Sequence, residues 1–307
     1  RNVKRDNISV DQMLALQPTI KAANLPTMSE VIIGLPGETY QSHIQTLRDL
    51  LRARVDDIQI YTCMMLDGAE MNTPEQRKKW DLKTKFRILP RDFIKLKNGK
   101  KILEIEEVVI ETNTLSFNEY VELRVLAFII FATKIGIVYE ALFKLLEENN
   151  VDLFELFHRI LKESSKAPKS IQNILDRVRQ ASINELYDTP DEISEHFQND
   201  LEYEKLLNGE TGINVVQFHH AIVMSECMDD WTDHTIKMAY DLLKEKTNFD
   251  DQLEQKFNEI ANYCKGLSHN TLGPSRMDTN PEFIFNYDIL SWLSSENKSS
   301  LETFKLK

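Results

Sequence analysis

The segment EVIIGLPGET, residues 30–39, constrains the fold more than any other part of the chain. A β-branched run climbs to Gly34, then Leu35, Pro36, Gly37 and an acid lead into an amphipathic stretch. Residues 28–33 read as a strand ending at Gly34. Residues 39–53 read as a helix with Ile44, Leu47, Leu50 and Leu51 on one face. DIQIYT, residues 57–62, alternates and reads as a second strand. Strand, helix and strand with connections this short form a βαβ unit, so the strands run parallel with a right-handed crossover. Glycine lets the backbone approach a ligand and adopt positive φ, while Pro36 stiffens the loop. Thr39 is placed to cap the following helix, whose N-terminus favours anions. Ligands of such sheets bind beyond the carboxyl ends of the strands. A tight turn between strand and helix, with no ligand, accounts for the same residue types.

Other segments extend the pattern. Residues 9–23 read as a helix opened by a Ser9/Gln12 capping box, with Pro18 as a local fault. Thr73-Pro74 opens a further short helix. KILEIEEVVIET, residues 101–112, reads as a strand outside the alternation. Ser116 and Glu119 form a second capping box, and the pattern is then helical to residue 265. Breaks fall near 148–151, 164–169, 188–191, 208–213 and 247–250. Residues 281–295 read as a strand or extended segment leading into a last short helix. The expected organisation is an α/β domain over 1–100 and a mostly helical domain over 101–307.

Charge and cysteine usage narrow the partners. The chain carries 37 Lys+Arg against 49 Asp+Glu, a net of −12, and such a surface repels nucleic acid and anionic membranes. The basic clusters Arg77, Lys78, Lys79 and Lys97, Lys100, Lys101 are short and read as solvated faces. Cys63, Cys227 and Cys264 are far apart, with no disulfide framework and no paired metal spacing. No signal peptide pattern opens the sequence, so a cytoplasmic protein with reduced thiols is expected. The most apolar segment, 125–143, contains Lys134 and Glu140 and reads as a buried helix rather than a membrane span. The chain begins at Arg1 in mid-pattern, and an N-terminal part of a longer protein is expected.

EVIIGLPGETYQSHIQTLRDLL resembles the fifth strand, loop and helix of the radical SAM (S-adenosylmethionine) barrel, and VDDIQIYTCMMLDGAEM resembles its sixth strand and following loop. KRDNISVDQM is similar to the segment after the fourth strand. FRILPRDF (86–93) and VVIETNTLSFNEYVELRVLAFII (108–130) resemble cobalamin-binding members of that family, and FNYDILSWL resembles their closing motif. The resemblance implies α/β plus all-α architecture, with the C-terminal part of a partial (β/α)6 barrel followed by a mostly helical domain; chain order alone suggests that this domain closes over the barrel mouth. It implies radical-mediated methyl transfer or rearrangement on an unknown substrate, a small molecule or otherwise, with S-adenosylmethionine, a [4Fe–4S] cluster and cobalamin as cofactors.

The family motif Gly-x-Ile-x-Gly-x-x-Glu, which packs against the SAM adenine, aligns on Ile32 and Gly34. Glu30 stands in place of its first Gly, and the acid falls one position late, at Glu38, after Gly37. The resemblance therefore makes Glu38 a supporting residue rather than a ligand contact. Backbone at Tyr61, Thr62 and Cys63 is implied to hold the adenine edge. Alternation independently turns Val31, Ile33, Ile58 and Ile60 toward the helices and Glu30, Ile32, Gln59 and Tyr61 toward the lumen.

The engine of such an enzyme is missing from these residues. Cluster ligation is thiolate work, and no Cys-x3-Cys-x2-Cys triplet occurs. The Asp-x-His-x-x-Gly loop that ligates cobalamin is also absent. The chain is thus expected to be inactive alone and to need the missing N-terminal barrel and cobalamin domain of the same protein. With strands removed, an unpaired edge and unfilled lumen face predict that the first 100 residues are aggregation-prone or partly molten, with the helical part better ordered. A non-catalytic interaction protein, binding a partner through the helical domain, is the alternative. His219-His220 and Asp230-x-x-x-His234 have metal-like spacing but read more simply as helix polar residues. Asp229, Asp230, Trp231 and His234 near Cys227 would otherwise line a substrate pocket, and Phe154, Leu156, Phe157 and Ile160 form an apolar core stripe.

Overall fold

The computed structural model describes residues 8–23, 25–134, 136–269, 282–295 and 299–307. Its first elements are α1 (Val10–Ala22), β1 (Met28–Ile33), α2 (Tyr40–Arg52), β2 (Asp57–Thr62), α3 (Pro74–Lys79), β3 (Lys83–Lys95) and β4 (Lys101–Glu111). Helices follow: α4 (Phe117–Lys134), α5 (Glu140–Glu148), α6 (Leu153–Lys162), α7 (Lys169–Asn184), α8 (Pro190–Gln198), α9 (Asp200–Leu207) and α10 (Val215–Ile222). The last are α11 (Met228–Lys246), α12 (Asp251–His269) and α13 (Ile289–Ser294). Two compact units result, Arg1–Val125 with Val178–Phe218, and Leu126–Arg177 with His219–Lys307. The division falls inside α4, α7 and α10. Residue 100, the boundary expected from the sequence, lies in the turn between β3 and β4.

In the first unit β1 and β2 pair in parallel, from Met28 opposite Asp57 to Ile33 opposite Thr62. Both strands have the bounds expected of them. α2 begins with a full capping box: the Ser42 N–H donates to Thr39 Oγ1 at 3.0 Å and the Thr39 N–H to Ser42 Oγ at 2.9 Å. It packs on β1 and buries Ile44, Leu47, Leu50 and Leu51. Val31, Ile33 and Ile58 are buried, whereas Ile60 is half-buried. The opposite face, with Ile32 and Tyr61, stays open enough that Tyr61 is 49% exposed.

β3 and β4 form an antiparallel hairpin whose register breaks between Ile88 and Phe93. Pro90 has no N–H for the ladder, and Arg91 adopts φ +65°. α8 packs on both strands, and Ile88, Ile193, Phe197, Tyr203 and Leu206 close a small core there. A single bridge, Met64 with Val108, joins the chain after β2 to β4. The Val109 N–H donates to the Cys63 carbonyl and the Met65 N–H to the Glu107 carbonyl, both at 2.9 Å. Among the described residues the parallel sheet has two strands, β1 and β2.

The second unit is helical. α11 packs on α6 and α12, and α12 packs on α5. Phe154, Leu156, Phe157 and Ile160 are all but fully buried, as a core stripe should be. The apolar segment 125–143 is two helices rather than one: α4 stops at Lys134, and Gly136 takes φ +79°, which a continuing helix does not tolerate. Among the described residues no helix is long and apolar enough to cross a membrane. Residues 282–288 run without a strand into α13, apart from an isolated bridge between Tyr287 and Lys305, while Pro281 lies outside the described residues. The buried Lys144 ammonium donates to the Trp292 and Ser295 carbonyls and ties down the end of α13.

Candidate ligand site at the ends of the parallel strands

The loop after β1 is held by one carboxylate. The Gly34 N–H donates to Glu38 Oε2 at 2.8 Å, and Glu38 Oε1 lies 2.9 Å from Nδ1 of the fully buried His43. The Thr114 hydroxyl donates to the Glu38 carbonyl at 2.6 Å. Gly34 itself has φ +90°, and a Cβ there would sit 3.3 Å from the Val109 carbonyl oxygen. The backbone of β4 therefore needs a glycine at this position on two counts, conformation and space. Neither Glu38 nor Gly34 reaches out toward a ligand; together they set the shape of the loop.

That loop walls a cavity of about 750 Å³. Ile32, Leu35 and Pro36 come from β1 and its loop, and Tyr61, Thr62, Cys63 and Met64 from β2 and its end. The far wall is Arg87, Leu89 and Pro90 from β3 with Glu106 from β4, and Leu66, Glu70 and Met71 lie along the connecting segment. Of the residues singled out from the sequence, Ile32, Tyr61, Thr62 and Cys63 line this space. Gly37, at φ +81°, completes the loop turn without lining the cavity. Glu30 is exposed on β1, and the Gln59 amide turns to Asp57 Oδ2 at 2.6 Å. The main chain of Cys63 is also committed: its N–H donates to the Ile33 carbonyl at 2.8 Å and its carbonyl accepts from Val109. The implied backbone hold on a ligand edge at Cys63 is lost to strand pairing.

The connecting segment is pinned by Arg77. Its guanidinium is bidentate on Glu107, at 2.8 and 2.6 Å, and also donates to Asn72 Oδ1, whose own amide reaches the Leu66 carbonyl. Burial alone would raise the Glu107 pKa, but Arg77 and Thr84 outweigh it and hold the carboxyl below its usual range.

Behind the far wall runs an alternating charge network. Arg87 Nε donates to Glu106 Oε1 at 2.5 Å and Arg87 Nη1 to Glu185 Oε1 at 2.8 Å. Arg124 Nη2 lies 2.9 Å from the same Glu185 oxygen, and its Nη1 donates to Thr62 Oγ1 at 3.0 Å. All four charged side chains are less than a fifth exposed. Burial works to lower the Arg87 pKa, but Glu185, Tyr120 and Glu106 raise it further, so the cation persists. Sequence reasoning missed Leu35, Pro36, Arg87 and Glu106; only the extended FRILPRDF segment drew notice to the Arg87 region.

The three thiols do not assemble. Cys63 and Cys264 are buried, and burial first, then Glu38, pushes the Cys63 thiol up to about 12. Cys63 Sγ sits 3.8 Å from Met71 Sδ. Among the described residues no group of three or more His, Cys, Asp or Glu is placed to hold a metal ion. His219 and His220 pack edge-on against Phe128 and Phe131, at 6.4 and 5.4 Å between ring centres. Burial lowers the pKa of His220 and His234. Trp231 packs on Phe128 and is 1% exposed, and Asp230 accepts from the Ser170 hydroxyl. Trp231 and His234 are core groups of the second unit.

No family model matches the chain. Two curated proteins do. The cobalamin-dependent radical SAM methyltransferase TokK of Streptomyces tokunonensis is 33% identical over 123 residues. The 2-(S-pantetheinyl)-carbapenam-3-carboxylate methyltransferase of Streptantibioticus cattleyicolor is 32% identical over 123 residues. Each match takes in 39% of this chain and spans 18% of the relative's length. Over that stretch the chain is related to methyltransferases, one of them a cobalamin-dependent radical SAM enzyme.

Proposed function

We propose that this chain is the C-terminal portion of a cobalamin-dependent radical SAM methyltransferase acting on a small molecule. The observation that carries the reading is the cavity at the carboxyl ends of β1 and β2, where α/β sheets bind ligands. Ile32, Leu35 and Pro36 offer an apolar face for the adenine of S-adenosylmethionine, and the Gly34 turn sets the shape of the loop that presents them. S-adenosylmethionine supplies the methyl group and the radical precursor in such enzymes. The relatives, both methyltransferases, favour methyl transfer over rearrangement.

The residues of this chain do not fit an iron–sulfur cluster. Its thiols are dispersed, and two of the three are buried. A cluster needs three converging thiolates. No histidine sits in the ligand pattern for cobalamin. The cluster, the cobalamin and the remaining barrel strands are therefore assigned to polypeptide N-terminal to this sequence, and this chain contributes a pocket wall and the helical unit.

Anaerobic expression of the longer in-frame polypeptide tests this. An iron–sulfur absorbance band and reductive cleavage of S-adenosylmethionine are expected. A start codon immediately before Arg1, or a longer protein that binds no cluster, contradicts it and favours an interaction protein.

A further inference from the structure

The cavity has a neutral interior despite containing charged residues. Its two largely covered charged linings are Arg87 and Glu106, with side chains 15% and 11% exposed, and each is the other's counterion at 2.5 Å. Behind them Glu185 takes a second proton-donor arm of Arg87 and one of Arg124, so two guanidinium groups face two carboxylates. The third charged lining residue, Glu70, is exposed at the mouth. The other close ionic groups point elsewhere: Glu38 is taken by Gly34 and His43, and Glu107 by Arg77 and Thr84. What remains to face a ligand is uncharged: Ile32, Leu35, Pro36, Met64, Met71 and Leu89 form the apolar part, with Tyr61, Thr62, Gln76 and Asn214 as neutral polar groups among them.

We infer that this cavity selects an uncharged, largely apolar ligand moiety, and that Glu106 is the residue that sets this selectivity. A carboxylate or phosphate entering here would face Glu106, and an ammonium group would face Arg87. Neither finds a free counterion, and a charge that leaves water without gaining a partner is costly. Removing Glu106 leaves two guanidinium groups on the single carboxylate of Glu185. The cavity then gains a net positive charge and should accept anions. The inference rests on reading this cavity as a ligand site and deepens it by naming the class of ligand group that it admits.

The test uses two fluorescent probes with one aromatic body, neutral N-phenyl-1-naphthylamine and its sulfonated analogue 8-anilinonaphthalene-1-sulfonate, titrated into the 307-residue chain. The wild-type chain is expected to bind the neutral probe more tightly. Glu106→Gln should strengthen binding of the sulfonate by about tenfold or more relative to the neutral probe. The double variant Arg87→Gln/Glu106→Gln restores neutrality and should lose that gain, whereas mere loosening of the fold would not be reversed by a second substitution. Met64→Trp fills the cavity from a partly exposed position and should abolish neutral-probe binding. Equal affinity of the wild type for both probes, no shift in Glu106→Gln, a gain retained in the double variant, or unchanged binding by Met64→Trp each overturns the assignment. Failure to bind S-adenosylmethionine would sink the cofactor reading and leave this result standing, so the two fail separately.

Discussion

The two units spend similar apolar residues in opposite ways. In the second unit Phe154, Phe157, Trp231 and Trp292 are at most 1% exposed, because each amphipathic helix finds a helical partner. In the first unit Tyr61, Met64 and Leu66 are 49%, 43% and 59% exposed around a cavity, because α2 covers only one face of the β1–β2 pair. A helix stripe can be sealed by its neighbours in the chain. A parallel pair presents two faces, and one βαβ crossover covers just one of them. The difference separates a region built to be closed from a region built to receive something, whether ligand or further strands.

The largest expected effect lies in the sealed region. Phe157→Ala should destabilise the second unit by about 3–5 kcal/mol, since a fully buried ring leaves a cavity. The three tryptophans divide usefully for this: Trp80 reports on the first unit, and Trp231 and Trp292 on the second. Single-tryptophan variants followed in urea should show the loss only in the second-unit transition. A matching loss at Trp80 would mean that the two units unfold as one.

Gly34→Ala comes next, at about 1–3 kcal/mol, because positive φ and the Val109 carbonyl both oppose a side chain. It should shift the Trp80 transition. Thr39→Ala should cost about 1 kcal/mol through the lost cap of α2. Substitutions at the open face behave differently: Leu66→Ser should change stability by no more than about 0.5 kcal/mol.

Acid offers a smaller, directional probe. The Glu107 pKa is lowered in the folded chain, so the pair with Arg77 stabilises the first unit above the ordinary carboxylate pKa. That contribution fades as pH falls through the lowered value, from about 4.3 downward. Glu107→Gln should flatten this limb of the Trp80 pH profile and leave the second-unit profile unchanged. An unaltered acid limb would show that Arg77–Glu107 does not hold the segment between β2 and β3.

The parallel half of the site was legible because its signals are local. β1 and β2 carry β-branched and alternating runs, bounded by Gly34 and by the turns before each strand. The far wall was not legible as a wall. β3 contains Pro90 and a register break, so no alternation survives to announce a strand that brings Arg87 to the cavity. Glu106 reaches the same space only through hairpin pairing and the Met64–Val108 bridge. The break at Gly136 was hidden for a different reason: apolar residues on both sides of it read as one uninterrupted stripe. In the second unit, His219 and His234 carried metal-like spacing, but the spacing is met by aromatic packing and burial.

Hydrogen–deuterium exchange of the chain with and without S-adenosylhomocysteine, a stable relative of S-adenosylmethionine, reads out whether the ends of β1 and β2 bind the cofactor. Added protection is expected only at residues 32–36 and 61–66, at the ends of β1 and β2. Protection that appears instead in α6, α11 or α12, or none at saturating ligand, would contradict it.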